Sequence, residues 1–132
     1  MRIFTEKNFF GECTLFVREW VKLLSENKLD EACDMLDDPE DNGRSIFWDA
    51  ATMTEALLGY IGQRRMPSVS DPYRTDLGKE RVSFIGCDEG NYAVDYDIPI
   101  EGEWTDLTAQ FTFKRHASGL YLVLLEGLSV LN

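Results

Sequence analysis

Hydrophobic positions at the start of the chain recur three and four residues apart. Phe9, Phe10, Cys13, Phe16, Val17, Trp20, Val21 and Leu24 form one stripe, with Glu12, Arg18, Glu19 and Lys22 between them. That spacing predicts one amphipathic helix of roughly five turns. Asn27-Lys28 breaks it, and a second stripe follows at Leu29, Ala32, Cys33 and Leu36. Asp38-Pro39 ends this one, because the residue before a proline is pushed out of the α region. The short link predicts an αα-hairpin. Residues 37–45 read as a loop by every turn signal. After Ile46, Phe47 and Trp48, a third helix is predicted to start near Thr52, where Thr52 and Glu55 have capping-box spacing. Leu57, Leu58 and Ile61 supply its apolar face, and Gly62 can close it. Residues 63–80, with Pro67, Pro72 and Gly78, read as an irregular crossing segment.

From residue 81 the period drops to two. Arg81–Cys87 reads as a short strand and Asp88-Glu89-Gly90-Asn91 as a hairpin turn. Tyr92, Val94, Tyr96, Ile98 and Ile100 share one parity; Ala93, Asp95 and Asp97 take the other. Such alternation predicts one buried and one wet face. Pro99 places the end of this strand at an edge or a bulge. After a turn at Glu101-Gly102-Glu103, Leu107, Ala109, Phe111 and Phe113 alternate with Thr108, Gln110, Thr112 and Lys114. Trp104 breaks that parity, which predicts a bulge near Thr105-Asp106. Ala117-Ser118-Gly119 is the next turn, and Leu120–Leu131 is a nearly unbroken apolar strand with a bulge expected at Gly127.

Helices followed by strands make an α+β pattern in one domain spanning 1–132: a helical part (7–62), the crossing segment (63–80) and an antiparallel meander (81–131). N-terminal helices should pack on a curved four-stranded antiparallel sheet, since neither half can bury its apolar face alone. This order of elements is similar to the cone-shaped nuclear transport factor 2-like architecture. The stretches Asp97-Ile98-Pro99, Glu103-Trp104-Thr105-Asp106-Leu107-Thr108 and Glu126-Gly127-Leu128-Ser129-Val130, with Phe16-Val17-Arg18-Glu19-Trp20-Val21-Lys22-Leu23-Leu24, resemble a group of small uncharacterised bacterial proteins. The resemblance covers about a third of the chain. It implies helices ahead of a curved sheet. Relatives of this shape include immunity proteins that neutralise a toxin domain, as well as isomerases, hydrolases and ligand-binding modules, so shape alone does not decide function.

Charge changes the picture more than composition does. The chain carries 24 acidic and 13 basic side chains, a net of −11. Residues 30–49 hold Asp30, Glu31, Asp34, Asp37, Asp38, Glu40, Asp41 and Asp49 against Arg44 alone. Residues 88–106 hold Asp88, Glu89, Asp95, Asp97, Glu101, Glu103 and Asp106 with no base. Such surfaces disfavour nucleic acid and anionic lipid and favour a basic protein or a cation. The basic doublets Arg64-Arg65 and Lys114-Arg115 are too isolated to track phosphates. No secretory signal and no membrane-length apolar run is seen, so the expected location is cytoplasmic. Three cysteines without C-x-x-C spacing argue against a disulfide framework or a zinc site, and Cys13 and Cys33 read as small buried apolar groups.

Candidate chemistry is sparse. Asp38, Glu40, Asn42, Gly43 and Asp49 stand at calcium-loop spacing, but Glu40 is too long and Asp49 too short for their positions, so a solvated loop is the better reading. No metal or cofactor is expected. His116, the one histidine, follows Lys114-Arg115 at a strand end, and a Cys87–His116 nucleophile pair would need the two to meet across the sheet. Phe10, Phe16 and Trp20 read as core, and Trp104 as a cap on the core or the lip of a pocket. Phe47 and Trp48 form an aromatic pair beside the acidic loop, suited either to recognition or to packing under the third helix.

The expected function is therefore a non-enzymatic interaction protein, of immunity or inhibitor type, that binds a basic partner. Asp95, Asp97, Glu101, Glu103 and Asp106 are one expected contact cluster. Asp37, Asp38, Glu40 and Asp41 are the other. The alternative is a small-molecule binder or an isomerase- or hydrolase-like enzyme using the interior of the cone. It requires an open pocket with an inward polar pair; filling by Phe16, Trp20, Phe84, Phe111 and Phe113 would argue against it. The sequence leaves the oligomeric state open.

Overall fold

The first stripe folds as one helix, α1 (Phe9–Ser25), in a computed structural model that describes residues 2–39, 46–61, 68–117 and 119–130. Phe9, Cys13, Phe16, Val17, Trp20, Val21 and Leu24 are its buried side. Phe10 is not among them: it is 48% exposed and stands edge-on to Phe84 and Tyr92. Phe9 takes the core position instead, one residue earlier on the helix. Asn27 ends the helix with φ at 58°, while its N–H donates to Leu24 O and Lys28 N–H donates to Leu23 O. Those two bonds are a Schellman closure, with asparagine at the left-handed position.

A short α2 (Leu29–Asp34) follows, stopping well before Pro39. The third helix, α3 (Ala50–Ile61), begins two residues earlier than Thr52 suggested. Its cap is Asp49, whose Oδ1 accepts the Thr52 N–H at 2.8 Å. That bond holds the Asp49 carboxyl below its usual range. An aspartate directly before the first helical residue serves this role as well as a threonine, so two signals competed locally. Met53 and Leu57 are the buried side of α3. Gly62, the expected closing residue, lies outside the described residues.

Among the described residues the sheet has five strands rather than four. Four were legible as a meander: β2 (Val82–Gly86), β3 (Tyr92–Ile100), β4 (Glu103–Ala117) and β5 (Leu120–Val130). The fifth is β1 (Arg2–Ile3), too short to show a period, which adds antiparallel to β5. The order is β1-β5-β4-β3-β2, every pairing antiparallel, and the sheet does not close. The β3–β4 register shifts between Asp97 and Pro99, leaving extra residues at Thr105-Asp106 where Trp104 had broken parity. Thr105 Oγ1 stitches that bulge by donating to Ile98 O at 2.7 Å. A second shift, at Gln110/Phe111, makes Glu126 the extra residue, beside Gly127. The β3–β4 turn, Glu101-Gly102, has φ of 51° and 83°. Positive φ at both positions is the hairpin turn whose twist matches the flanking strands.

Helices and sheet meet through rings. Phe111 lies edge-on to Trp20 at 5.1 Å, and Phe113 to Phe4 at 5.4 Å and Phe16 at 5.9 Å. Phe4 also packs on Phe9 and Tyr121. Phe16, Trp20, Phe111 and Phe113 are all buried, and Phe84 is half-buried against them. Among the described residues these rings occupy the space between α1 and the sheet. No helix of the described residues is long and apolar enough to cross a membrane.

The outer edge of β5 is sealed by three unlike devices. Arg2 pairs with Tyr121. Asp37 donates its N–H to Val123 O at 2.9 Å and accepts the Val123 N–H on Oδ2 at 2.8 Å. Trp48 Nε1 donates to Leu125 O at 2.7 Å. An unsealed edge would template pairing with other chains. Replacing Asp37 with alanine strips the Val123 N–H of its acceptor, so Asp37→Ala should cost about 1–3 kcal/mol in urea unfolding. Asp37→Asn keeps an acceptor oxygen and should lose less than half of that; equal losses would show that the carboxylate's charge, not this bond, matters.

Candidate functional site

Strand parity decides where the carboxylates of the second acidic block go. Val94, Tyr96 and Ile98 face the helices and are buried, so Asp95 and Asp97 stand on the opposite face. Asp97 lies across from Thr108, whose Oγ1 donates to it at 2.9 Å, and 3.5 Å from the Arg81 guanidinium. Asp95 is half-buried in a cross-strand row with Ser83 and Gln110 and makes no hydrogen bond or ion pair among the described residues. Burial, and then the neighbouring Asp97, push its carboxyl above the usual range. Glu103 and Asp106 are exposed at the turn and the bulge, without ion pairs among the described residues. Glu101 sits in the turn, its N–H donating to Ser68 O, and Gly102 N–H donates to Ser70 Oγ. The five residues of the first contact cluster thus occupy the β3–β4 hairpin and the adjoining outer face.

The acidic block itself is not one surface. Asp88 and Glu89 precede β3 and Glu101 follows it, so a nine-residue strand, about 30 Å long, separates the two ends. The other candidate cluster is divided too. Asp37 is half-buried and bonded to β5, at the opposite edge of the sheet from β2, and Asp38 is exposed beside it. Glu40 and Asp41 lie outside the described residues, as do most of the calcium-spaced positions and Arg64-Arg65. Asp49, the last calcium-spaced residue, caps α3 instead. Among the described residues no group of three or more histidine, cysteine or acidic side chains is arranged to hold a metal.

The remaining candidates separate in the same way. Trp48 is bonded to β5, whereas Phe47 beside it is 62% exposed. Cys87 lies on the β2 side of β3 and contacts Ile85 O at 3.7 Å; His116 lies near the end of β4, with β3 between them. Cys13 and Cys33 are pushed up to about 12 and about 11, mainly by burial, so neither is a ready thiolate.

A polar constellation that sequence reasoning missed lies beside Trp104. Glu80 accepts from Arg18 Nε at 2.9 and 3.0 Å, from Arg18 Nη2, and from the Tyr96 hydroxyl at 2.7 Å. Tyr73 OH donates to Glu19 Oε1 at 2.7 Å nearby. Arg18, Tyr73 and Glu80, with Pro72, Lys79, Val82 and Trp104, line an open cleft of about 380 Å³. The clue was Tyr96: a tyrosine at a core parity must find a partner for its hydroxyl. Burial, then the bond to Glu80, hold that hydroxyl protonated far above its ordinary value. Burial works to raise the Glu80 carboxyl, but the bonds from Arg18 and Tyr96 outweigh it and hold it below its ordinary 4.5. A carboxylate so saturated with donors is a cross-link between α1, the approach to β2 and β3, not a base. Trp104, edge-on to Tyr96, keeps its indole N–H buried without an acceptor among the described residues.

Comparison with known proteins finds no matching family model, no matching curated protein and no matching solved structure.

Two stability measurements test these assignments. Glu80 has a depressed folded value, so its contribution is present above pH 4.5 and is lost as pH falls through that lower value. Glu80→Gln should cost about 1–2 kcal/mol at pH 7, the partly exposed Arg18 keeping the figure low. It should also flatten the decline in stability below pH 4.5. Asp95 has the opposite sign. Its folded value is raised, so its ionised form opposes folding at neutral pH and acidification relieves it. Asp95→Asn should raise stability at pH 7 by up to about 0.5 kcal/mol; a loss would mean that Asp95 has a structural partner.

Proposed function

We propose that the chain is an interaction protein whose acidic β3–β4 hairpin docks on a basic protein partner, in the manner of an immunity or inhibitor module. The observation that carries this reading is the company of Asp95, Glu103 and Asp106: three carboxylates around one hairpin, none of them in an ion pair among the described residues. Asp95 is held where burial and Asp97 oppose its charge. A carboxylate that strains its own fold is best explained by something outside the fold. Asp97 and Glu101 extend the negative potential. A cationic cleft, such as one built to hold phosphate, would be steered toward the hairpin and occluded by it.

Packing favours this class over an enzyme that works inside the cone. Phe16, Trp20, Phe111 and Phe113 fill the place where a substrate would sit. The inward polar pair, Tyr96 with Glu80, is saturated by Arg18. The architecture we favour is nuclear transport factor 2-like, on the strength of one long helix laid against a bulged meander. A cytoplasmic setting suits three free cysteines.

The test is capture from an extract of the source cell on the immobilised chain, at about 0.05 M and about 0.5 M salt. Captured proteins should be basic and should leave at the higher salt. With the captured partner purified, the variant Asp95→Asn, Glu101→Gln, Glu103→Gln, Asp106→Asn should associate about tenfold more slowly or worse. A partner held equally by the variant, or equally at both salts, would sink the electrostatic mechanism.

A further inference from the structure

The two edges of the sheet are treated differently, and hydrogen-bond alternation shows what the second one offers. Arg81 O accepts from Asp97 N–H at 3.1 Å, and Cys87 N–H donates to Asn91 O at 2.8 Å. Both residues therefore point their backbone groups at β3. In an antiparallel ladder alternate residues point opposite ways. Ser83 and Ile85 face β3 as well, and Val82, Phe84 and Gly86 turn N–H and C=O outward. β2 ends the strand order, and no hydrogen bond among the described residues takes these groups. On β5 the same alternation turns Tyr121, Val123 and Leu125 outward, where Arg2, Asp37 and Trp48 meet them.

β2 also lacks the devices that blunt an edge. Val82–Gly86 contains no charge and no proline. Ile85 is 55% exposed, and the half-exposed Phe10 ring lies on Phe84.

We propose that β2 is a dimer edge: it pairs antiparallel with β2 of a second copy about a two-fold axis through Phe84. Phe84 then exchanges both backbone bonds with its equivalent, and Val82 pairs with Gly86 of the other copy. The flanking charges select this occupant. Lys79 and Arg81 precede the strand, with Glu80 between them turned inward to Arg18 and Tyr96 and Arg81 also near Asp97; Asp88 and Glu89 follow it. The two-fold brings the Lys79 and Arg81 end of each β2 to the Asp88–Glu89 turn of the other. Two symmetric contacts of opposite sign follow from one sequence. Phe10 and Phe84 of both copies close over the join.

The experiment combines sedimentation with amide exchange by NMR, both as a function of concentration. A dimer should form, and the Val82, Phe84 and Gly86 amides should exchange about tenfold more slowly in it, while the Ser83 and Ile85 amides are protected at every concentration. Lys79→Glu and Glu89→Lys, both at exposed positions, should each weaken association about fivefold, and the double variant should recover most of it. A chain that stays monomeric to about 1 mM overturns the proposal. So does a dimer that protects other amides, a double variant no better than the singles, or protection of these three amides only when a foreign extended peptide is added.

Discussion

The structure depends on the rings that β4 presents to α1. Phe111 and Phe113 occupy alternate positions of the central strand, and Phe4, Phe9, Phe16 and Trp20 pack edge-on around them. Edge-to-face packing sets ring positions as well as burying area, because each ring's positive rim meets another's negative face. Once these rings are in register with the α1 stripe, strand parity is no longer adjustable. A one-residue slip of β4 would send Phe111 and Phe113 to water, and one of β3 would bring Asp95 and Asp97 inside. The wet outer face, the hairpin carboxylates and the outward backbone groups of β2 all follow from that one choice.

The same constraint explains where polar groups had to be cross-linked. Tyr96 shares core parity with Val94 and Ile98, so its hydroxyl arrives under α1 needing an acceptor. Glu80 meets it, and Arg18 balances Glu80 from the helix. That bond set joins elements 62 residues apart in sequence. It uses the inward charge for architecture and leaves no unsatisfied carboxylate inside. Asp95, Glu103 and Asp106, which have no ion pair among the described residues, are all on the outside. This contrast gives the exterior reading of function its weight: the inward carboxylate Glu80 is matched by donors, whereas these three are not.

What the sequence made legible was period. The α1 stripe, the alternation of β3 and β4, the turn at Glu101-Gly102 and the bulge signalled by Trp104 all repeat or break a local pattern, and local patterns survive being read along one dimension. What stayed hidden was meeting. Asp37 looked like one more acid in a solvated run, yet it bonds Val123 across 86 residues; Trp48 reaches Leu125 across 77. Nothing near either residue marks it as the seal of a strand edge. β1 was missed because two residues have no period. Phe10 and Phe9 could not be ranked because both fall within a stripe's width of the core. Asp49 and Thr52 were competing caps, and only the bond geometry chose between them. The acidic block at 88–106 looked continuous because a sequence does not show that a strand carries its two ends about 30 Å apart.

Net charge puts the two proposed contacts under opposite physical control. Two copies at −11 each repel at long range, yet β2 is uncharged, and the groups that would touch are backbone amides, rings and matched flanks. Screening over about 8 Å at physiological ionic strength removes the long-range repulsion and leaves short bonds nearly intact. Self-association through β2 is thus favoured as salt rises from low values. Docking through the hairpin gains from long-range attraction and weakens over the same range. The two surfaces lie on different strands, with the acidic turn beyond the far end of β3 from Asp88 and Glu89. A two-fold pair would present two acidic hairpins to a basic partner, raising the effective concentration of the second after the first has bound.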